Sequence, residues 1–343
     1  MERKLASIRI ISELTPIPGA DRIVSAKVDG WTCVVPKDQF KVGDKCIYFE
    51  IDSVIPIAQW NEILRKDSMD KPLRIKTKKF KKCIAQGLCW DLSILPIGNY
   101  EVGDDVTQIL GVTKYEPVIP AELAGLIRGS FPSGHISKSD EERIQNIPQI
   151  IDYCRETKLK MIGTLKCDGT SATFAMVPKD TSKDYCVCSR NRMLTESETN
   201  IYWKMSRKYG IKEILESYDD LYGIQSEIVG PSIQGNRMAL KEVEIRVFNV
   251  KNISQNRYLD RAEMEAFCQK HNLPIVPVVY SAIFDENTSM QSLMEISNKL
   301  KYDGGHPAEG IVWRPEHETT CDILNGRLSF KVVSNEFLLY IGE

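Results

Sequence analysis

Between residue 1 and about residue 112, short apolar runs are broken by turn-forming residues. Ala6–Ile11, Trp31–Val35 and Cys46–Ile51 are separated by Pro16-Ile17-Pro18-Gly19, Asp29-Gly30 and Gly43-Asp44. Runs of that length between Gly, Pro and Asp predict the strands of a small β-barrel. From Pro117 to Ser130-Phe131-Pro132-Ser133-Gly134 the composition turns to Pro, Gly and Ser, which marks a linker and puts a domain boundary near residue 113. Beyond it, Ser139-Asp140-Glu141-Glu142 has the pattern of a capping box, and Asn146 would cap a second helix that tolerates Pro148 in its first turn. From Met161 the periodicity is mainly that of strands, at 161–166, 170–176, 185–190, 224–229, 244–251, 309–314 and 327–333, with helices at 197–217, 260–271 and 290–301. The second domain is therefore expected to be α+β with largely antiparallel sheet. No internal repeat or low-complexity tract interrupts it.

Composition narrows this picture only slightly. Hydrophobic residues at 42% and charged residues at 27% exclude collagen-like and mostly disordered classes. The 45 Lys and Arg against 47 Asp and Glu leave a net charge of −2, so nucleic-acid contact would need a local basic patch. Ten cysteines form no C-x-x-C pair and read as buried free thiols. No apolar run is long enough for a signal peptide or a membrane span, and an intracellular, reducing location is expected. His135, His271, His306 and His317 lack ligand spacing, and Trp203 reads as a packing residue.

Candidate chemistry begins at Thr164-Leu165-Lys166-Cys167-Asp168-Gly169-Thr170, where an Asp-Gly turn joins two apolar strands. A lysine ending a buried strand needs a partner or a task, although a snorkelling side chain beside a hairpin turn would look the same. Its weight comes from the ordered set that follows: Ser189-Arg190-Asn191, Ser226-Glu227-Ile228-Val229-Gly230, Val247-Phe248-Asn249-Val250, Ala308-Glu309-Gly310-Ile311-Val312-Trp313-Arg314 and Leu328-Ser329-Phe330-Lys331-Val332-Val333. Strands that repeatedly carry charge in an apolar pattern imply a polar cleft.

This set resembles the covalent nucleotidyltransferase superfamily of polynucleotide ligases and RNA capping enzymes. Within it the sequence is most similar to ATP-dependent RNA ligases with an N-terminal OB-like domain, of the Deinococcus and Naegleria type. Ile17-Pro18-Gly19-Ala20-Asp21-Arg22-Ile23, Phe40-Lys41-Val42-Gly43-Asp44 and Tyr48-Phe49-Glu50-Ile51-Asp52-Ser53-Val54 carry the likeness in the first domain. Asp140-Glu141-Glu142-Arg143-Ile144-Gln145-Asn146 and Gly230-Pro231-Ser232-Ile233-Gln234-Gly235-Asn236 extend it in the second. The expected architecture is thus an OB-like β-barrel at 1–112 that binds nucleic acid, then a nucleotidyltransferase domain of antiparallel sheets flanked by helices at 113–343.

The resemblance implies a three-step reaction: a lysine attacks the α-phosphorus of ATP, AMP passes to an RNA 5′-phosphate, and a 3′-hydroxyl displaces AMP. Lys166 aligns with the nucleophile. It must attack as a neutral amine, and a reference pKa near 10.4 leaves about one amine in a thousand neutral at pH 7.4, a cost of roughly 4 kcal/mol. A dry pocket and nearby cations are expected to favour deprotonation. Mg²⁺ or Mn²⁺ is the implied cation, with Asp168, Glu227 and Glu309 near metal or ribose and Glu309 first choice for metal through water. Asp168 could equally be only a turn residue. Phe248 takes the adenine-stacking position, against the alternative of an ordinary core Phe. Leu165 and Arg190 join the nucleotide site, Arg190 at the ribose or the substrate phosphate, and Lys331 faces the α-phosphate. Relatives often have Lys-x-Lys at this last motif. Here it is Ser329-Phe330-Lys331, and Arg327 is the candidate replacement cation.

Arg74, Lys76, Lys78, Lys79, Lys81 and Lys82 put six cations in nine residues around Phe80, suited to phosphate contact, or simply a solvated loop. Residues 1–112 carry 17 basic and 15 acidic side chains, and the remainder 28 and 32, so the basic signal is local to the first module. The expected partner is RNA with 3′-OH and 5′-phosphate ends, at duplex nicks, joined by a monomeric enzyme without membrane association. DNA ligases and capping enzymes share the nucleophile motif but place an OB domain after the catalytic one, and only twelve residues follow Lys331. The other alternative is a non-catalytic RNA-binding protein with a decayed transferase domain.

Overall fold

The structure is a computed structural model and describes residues 4–65, 69–81, 83–115 and 125–342. It divides into two compact units, one of Met1–Val118 with Ile144–Pro148 and Leu338–Glu343, the other of Ile119–Arg143 and Gln149–Phe337. No described helix is long and apolar enough to cross a membrane.

In the first unit the described strands form small sheets. Ala6–Ile10, Lys45–Phe49 and Leu88–Trp90 make one, and Glu13–Pro16, Ile23–Val28 and Trp31–Pro36 a second. Asp29-Gly30 joins Val28 to its partner Trp31, and Asp29 takes a φ of 49°, as a two-residue hairpin turn requires. Strict alternation then sends Trp31, Cys33 and Val35 inward, where they meet Cys46, Tyr48 and Cys89 in one apolar cluster. The expected barrel is only partly realised, since the described ladders do not close into one continuous barrel. All ten cysteines are free thiols, nine of them buried and Cys83 half-buried, as their spacing suggested.

Two sheets build the second unit. The larger runs Ile127–Ser130, Arg192–Leu194, Ser182–Cys188, Thr170–Lys179, Tyr222–Val229, Glu244–Asn252 and Arg257–Tyr258, antiparallel throughout. One of its faces packs Phe174, Ile224 and Val247 against Trp203, Leu215, Met264 and Phe267 of the helices. The smaller sheet orders Glu142–Arg143, Phe330–Val333, Gly310–Pro315, Lys160–Lys166 and Val278–Ile283. Its first pairing is parallel and the rest antiparallel.

Three expectations fail locally. The capping-box helix at Ser139–Glu142 does not form: Glu142 and Arg143 pair with Phe330 and Lys331 as a strand, so a distant partner overrides the local cap signal. The helix expected from Asn146 begins instead at Ile150, after a short 3-10 turn at Ile144–Asn146. The single helix expected at 197–217 is two, Ile201–Lys208 and Ile211–Glu216, because Gly210 adopts a left-handed φ of 57° between them. Asn200 caps the first, accepting from the amides of Tyr202 (2.8 Å) and Trp203 (3.4 Å). A strand at Val278–Ile283 and a helix at Asn335–Ile341 carry no clear periodic signal.

Gly310 sits where the smaller sheet is tightest. It pairs with Lys166 on one side and Val333 on the other, at a φ of 150°, and a Cβ there would lie 2.2 Å from the Val332 carbonyl oxygen. Gly310→Ala is expected to cost about 2 kcal/mol, measured as a fall in the urea midpoint. An unchanged midpoint would mean that the strand pair yields without strain.

Candidate active site

Lys166 is the last residue of the Lys160–Lys166 strand, and its ladder to Gly310–Pro315 ends at the Lys166–Gly310 pair. Glu309 lies one residue outside that ladder, where regular alternation has ended, and its side chain meets that of Lys166. Lys166 Nζ is 2.5 Å from Glu309 Oε1, with both side chains about a quarter exposed. Gly169 closes the turn that follows. A Cβ there would meet the Ile228 carbonyl oxygen at 2.3 Å and Glu227 Cγ at 2.7 Å, so glycine lets the turn approach the strand that carries Glu227.

The acids differ sharply in environment. Burial pushes the Glu227 carboxyl up to about 8, against the opposing pull of Lys166, with Glu309 and Asp168 pushing further in the same direction. Asp168 is also raised, chiefly by burial, although Arg237 donates to its Oδ2 at 2.5 Å. Burial opposes the charge on Lys166, but Glu309, Glu227 and Glu141 outweigh it, and the net direction is upward. Without a bound cation, the nearest partner of Lys166 is a carboxylate, which favours its charged form. Lys331 behaves in the opposite way. Burial, with Lys166 and Arg143 nearby, pushes it down to about 8.

The structure brings Lys166, Asp168, Glu227 and Glu309 into electrostatic range of one another, and Lys331 into range of Lys166. Among the described residues, no three His, Cys, Asp or Glu side chains converge closely enough to enclose a metal ion by themselves. The crowding of acids around a Glu227 whose charge burial opposes is nevertheless relieved by a cation. Oxygen donors of this kind suit a hard divalent ion that keeps part of its water shell.

Phe248 is half-buried rather than a core residue. It lines a cleft with Ile162, Thr164, Asn249 and Arg314, drawn from both sheets, and Met264 from the Arg261–Lys270 helix. The Arg314 guanidinium lies 5.9 Å from the centre of its ring. Leu165 commits its amide to the Pro277 carbonyl (2.9 Å), leaving that N–H no capacity for a ligand. Arg190 is half-exposed and pairs with Asp140.

Sequence reasoning missed the partners. Arg314 donates to Ser329 Oγ (3.1 Å), the Phe248 carbonyl (3.2 Å) and Glu141 Oε1 (2.5 Å). Glu141 is held below its ordinary range: burial would raise it, but Arg314 and Lys331 prevail. Arg327, expected to replace the absent lysine at position 329, turns elsewhere. It pairs with Glu318 and lies 3.6 Å from the centre of the Tyr258 ring. The cation beside Ser329 is therefore Arg314. Its place in an apolar strand was the available signal; Glu141 stood in a quoted motif but read locally as part of a helix cap, and Arg237 carried no signal beyond charge.

In the first unit, Lys78–Phe80 and Cys83–Ala85 form a hairpin in which Lys78, Lys79, Phe80 and Lys81 are exposed. Lys81 donates to the Gly19 carbonyl and Lys76 to that of Gly342 (3.1 Å). Arg74 departs from the expected phosphate-facing cluster. It bonds Asp52 at 2.7 Å and stacks 3.5 Å from the centre of the Tyr115 ring, so its charge is already satisfied within the unit. Lys82 lies outside the described residues.

Comparison with known proteins gives a consistent result. A profile described as an OB-fold domain matches residues 5–92, and one described as RNA ligase matches residues 159–333. The structure is similar to that of a Naegleria gruberi RNA ligase with PPi, at 34% identity over 99% of each chain and a TM-score of 0.86. It is similar, also at 34% identity, to a lysine-to-alanine mutant of that ligase with ATP and Mn, with 98% of each chain covered and a TM-score of 0.85. A lysine-to-methionine mutant with AMP and Mn matches at 34% identity, covering 98% of this chain and 99% of that one, with a TM-score of 0.86. No curated protein matches.

The Glu141–Arg314 pair, with side chains 13% and 12% exposed, yields a stability prediction. Glu141→Gln leaves the Arg314 charge without its counter-ion and is expected to cost about 3 kcal/mol. Because the folded carboxyl lies below its ordinary value of 4.5, its contribution is present above that pH and is lost as pH falls through the folded value. Urea midpoints of the wild type and Glu141→Gln should therefore converge in acid; parallel curves down to about pH 3 would refute the pairing.

Proposed function

Since the chain belongs to the RNA ligase family and is an ATP-dependent RNA ligase, we propose that it joins RNA 3′-OH and 5′-phosphate ends at duplex nicks through a lysyl-AMP on Lys166. The observation that carries the assignment is Lys166 at the mouth of its strand, 2.5 Å from Glu309 and within the field of Glu227. The Lys166 nitrogen attacks the α-phosphorus, the bond to the bridging oxygen of the β-phosphate breaks, and pyrophosphate leaves while the amine loses a proton to solvent. AMP then passes from Lys166 to the RNA 5′-phosphate, and the 3′-hydroxyl oxygen displaces it, forming the phosphodiester.

In the free site Glu309 keeps Lys166 as an ammonium, which is unable to attack. A divalent ion, Mg²⁺ or Mn²⁺, supplies positive charge that neutralises phosphate and favours the neutral amine, with Glu309, Glu227 and Asp168 as the residues to hold it. Arg237 pairs with Asp168 as Lys166 does with Glu309, so a cation drawing on these acids competes with both pairs. Lys331, poised near 8 by burial and by Lys166, gains its charge most readily beside phosphate and so neutralises the α-phosphoryl oxygens as negative charge grows there. Phe248 offers the purine a flat face at the rim of the cleft. Arg190, half-exposed beside Asp140, is placed to meet the ribose or the 5′-phosphate.

The exposed Lys78, Lys79 and Phe80 of the basic hairpin support a role in gripping the substrate strand. A shape-based grip on phosphates, without base reading, suits a nick in a duplex of any sequence.

Incubation with divalent metal and ATP labelled at the α-phosphate tests the nucleophile: label should survive denaturing gels on wild type and be absent from Lys166→Ala. Failure of any wild-type preparation to take up label, once existing adenylylation is excluded, would favour the non-catalytic RNA-binding alternative. For the hairpin, Lys78→Ala with Lys79→Ala should lower the salt-dependence slope of duplex binding by about 0.9 for each phosphate no longer neutralised, with lysyl-AMP formation unchanged. An unaltered slope would remove the hairpin from the interface.

A further inference from the structure

The ladder between the strands of Lys166 and Glu309 stops at the Lys166–Gly310 pair, because the chain turns away at Asp168-Gly169. Beyond that point the two backbones are joined through a side chain. Tyr302, 4% exposed, donates its hydroxyl proton to the Lys166 carbonyl at 2.8 Å and accepts from the Glu309 amide at 3.0 Å. One oxygen thus extends the sheet where its own hydrogen bonding has ended. The hydroxyl has a single proton, and this arrangement commits it.

Tyr302 is itself fixed. The Leu300–Ala308 segment closes on itself through Ala308 N to Leu300 O (2.9 Å), Tyr302 N to His306 O (2.9 Å) and Gly305 N to Tyr302 O (2.8 Å). On the other side, the Glu309 carbonyl accepts from Ser334 N at 2.9 Å. Glu309 is therefore held through its amide by Tyr302 and through its carbonyl by the chain just past the Phe330–Val333 strand.

We propose that Tyr302 is a positioning residue for lysine adenylylation: its hydroxyl sets the separation of Lys166 from Glu309 by tying their main chains together. The proposal rests on the reading of Lys166 as nucleophile. It assigns Tyr302 no contact with ATP, whose adenine face is Phe248 and whose phosphates meet Lys331. Loss of the bridge should therefore slow the step that uses the lysine and leave nucleotide affinity nearly alone. Joining of an RNA whose 5′-end is already adenylylated bypasses the lysine and should be spared.

The test uses the full chain with the single substitution Tyr302→Phe. Single-turnover lysyl-AMP formation is expected to fall about tenfold, with the apparent ATP affinity and the joining of pre-adenylylated RNA each within about twofold of wild type. Equal losses in both reactions would mark a general structural defect, and undiminished lysyl-AMP formation would show the bridge to be dispensable; either result overturns the proposal. Placing 4-aminophenylalanine at position 302 fills the same space and restores a donor toward the Lys166 carbonyl. It should recover much of the lost rate, and it carries the test if Tyr302→Phe does not fold; lack of recovery again counts against the bridge. Mapping the AMP by mass spectrometry keeps the premise separate: adduct on a residue other than Lys166 in wild type would sink the nucleophile reading itself, whatever Tyr302→Phe does.

Discussion

Everything in the catalytic unit is arranged around a buried imbalance of charge. Lys166 is pressed against Glu309, and Glu227 stands near enough to act on both. Removing such groups from water costs several kcal/mol each unless they pair. The pairs are accordingly specific: Lys166 with Glu309, Asp168 with Arg237, Arg314 with Glu141. Lys331, on the other hand, is shifted toward neutrality by burial and by Lys166. The ligand-free site thus crowds acids around Glu227, whose charge burial opposes, and opposes the charge of Lys331 as well. Perturbed charges gathered in one place are the mark of a functional site.

The two sheets meet at a second feature, a cleft. Phe248 comes from one sheet and Arg314 from the other, and the cleft they share is lined by apolar Ile162 and Met264 as well as polar Thr164 and Asn249. The apolar residues give the cleft a dry surface, while strand ends deliver the charge. Helices cover one face of the larger sheet, where Phe174, Val247 and Trp203 are buried. Substitution of the usual lysine by Ser329 fits this scheme. Arg314 reaches Ser329 from the adjacent strand and keeps its own counter-ion, so positive charge is retained at that place without a side chain from position 329.

The first unit is built differently, with small sheets, an apolar cluster around Trp31 and Tyr48, and free thiols used as small hydrophobes. Its basic run is only partly a surface feature. Arg74 is engaged by Asp52 and Tyr115, while Lys78 and Lys79 stay exposed on the hairpin. Counting cations along the chain overstates such a patch, because a guanidinium beside an acid and an aromatic ring folds inward where a lysine on a hairpin does not.

Sequence alone determined the features set by near neighbours along the chain. Period-two alternation marked the strands, Asp29-Gly30 marked a hairpin, and Lys166, Asp168 and Gly169 were bound to stand together because covalent spacing holds them there. The order of the later motifs was equally legible, and with it the family. Tertiary structure decided what those residues meet. Glu309 lies 143 positions from Lys166 and Glu141 lies 173 from Arg314. Glu141 reads locally as part of a helix cap, whereas its neighbours Glu142 and Arg143 pair with Phe330 and Lys331 in a sheet. Tyr302, 136 positions from Lys166, left no mark in any local pattern. Strand register and burial are properties of the assembled sheets, and they set both the partners and the direction in which each charge is shifted. A local pattern can name a lysine that needs a task, but only the packed sheets determine whether it is held as an amine or an ammonium.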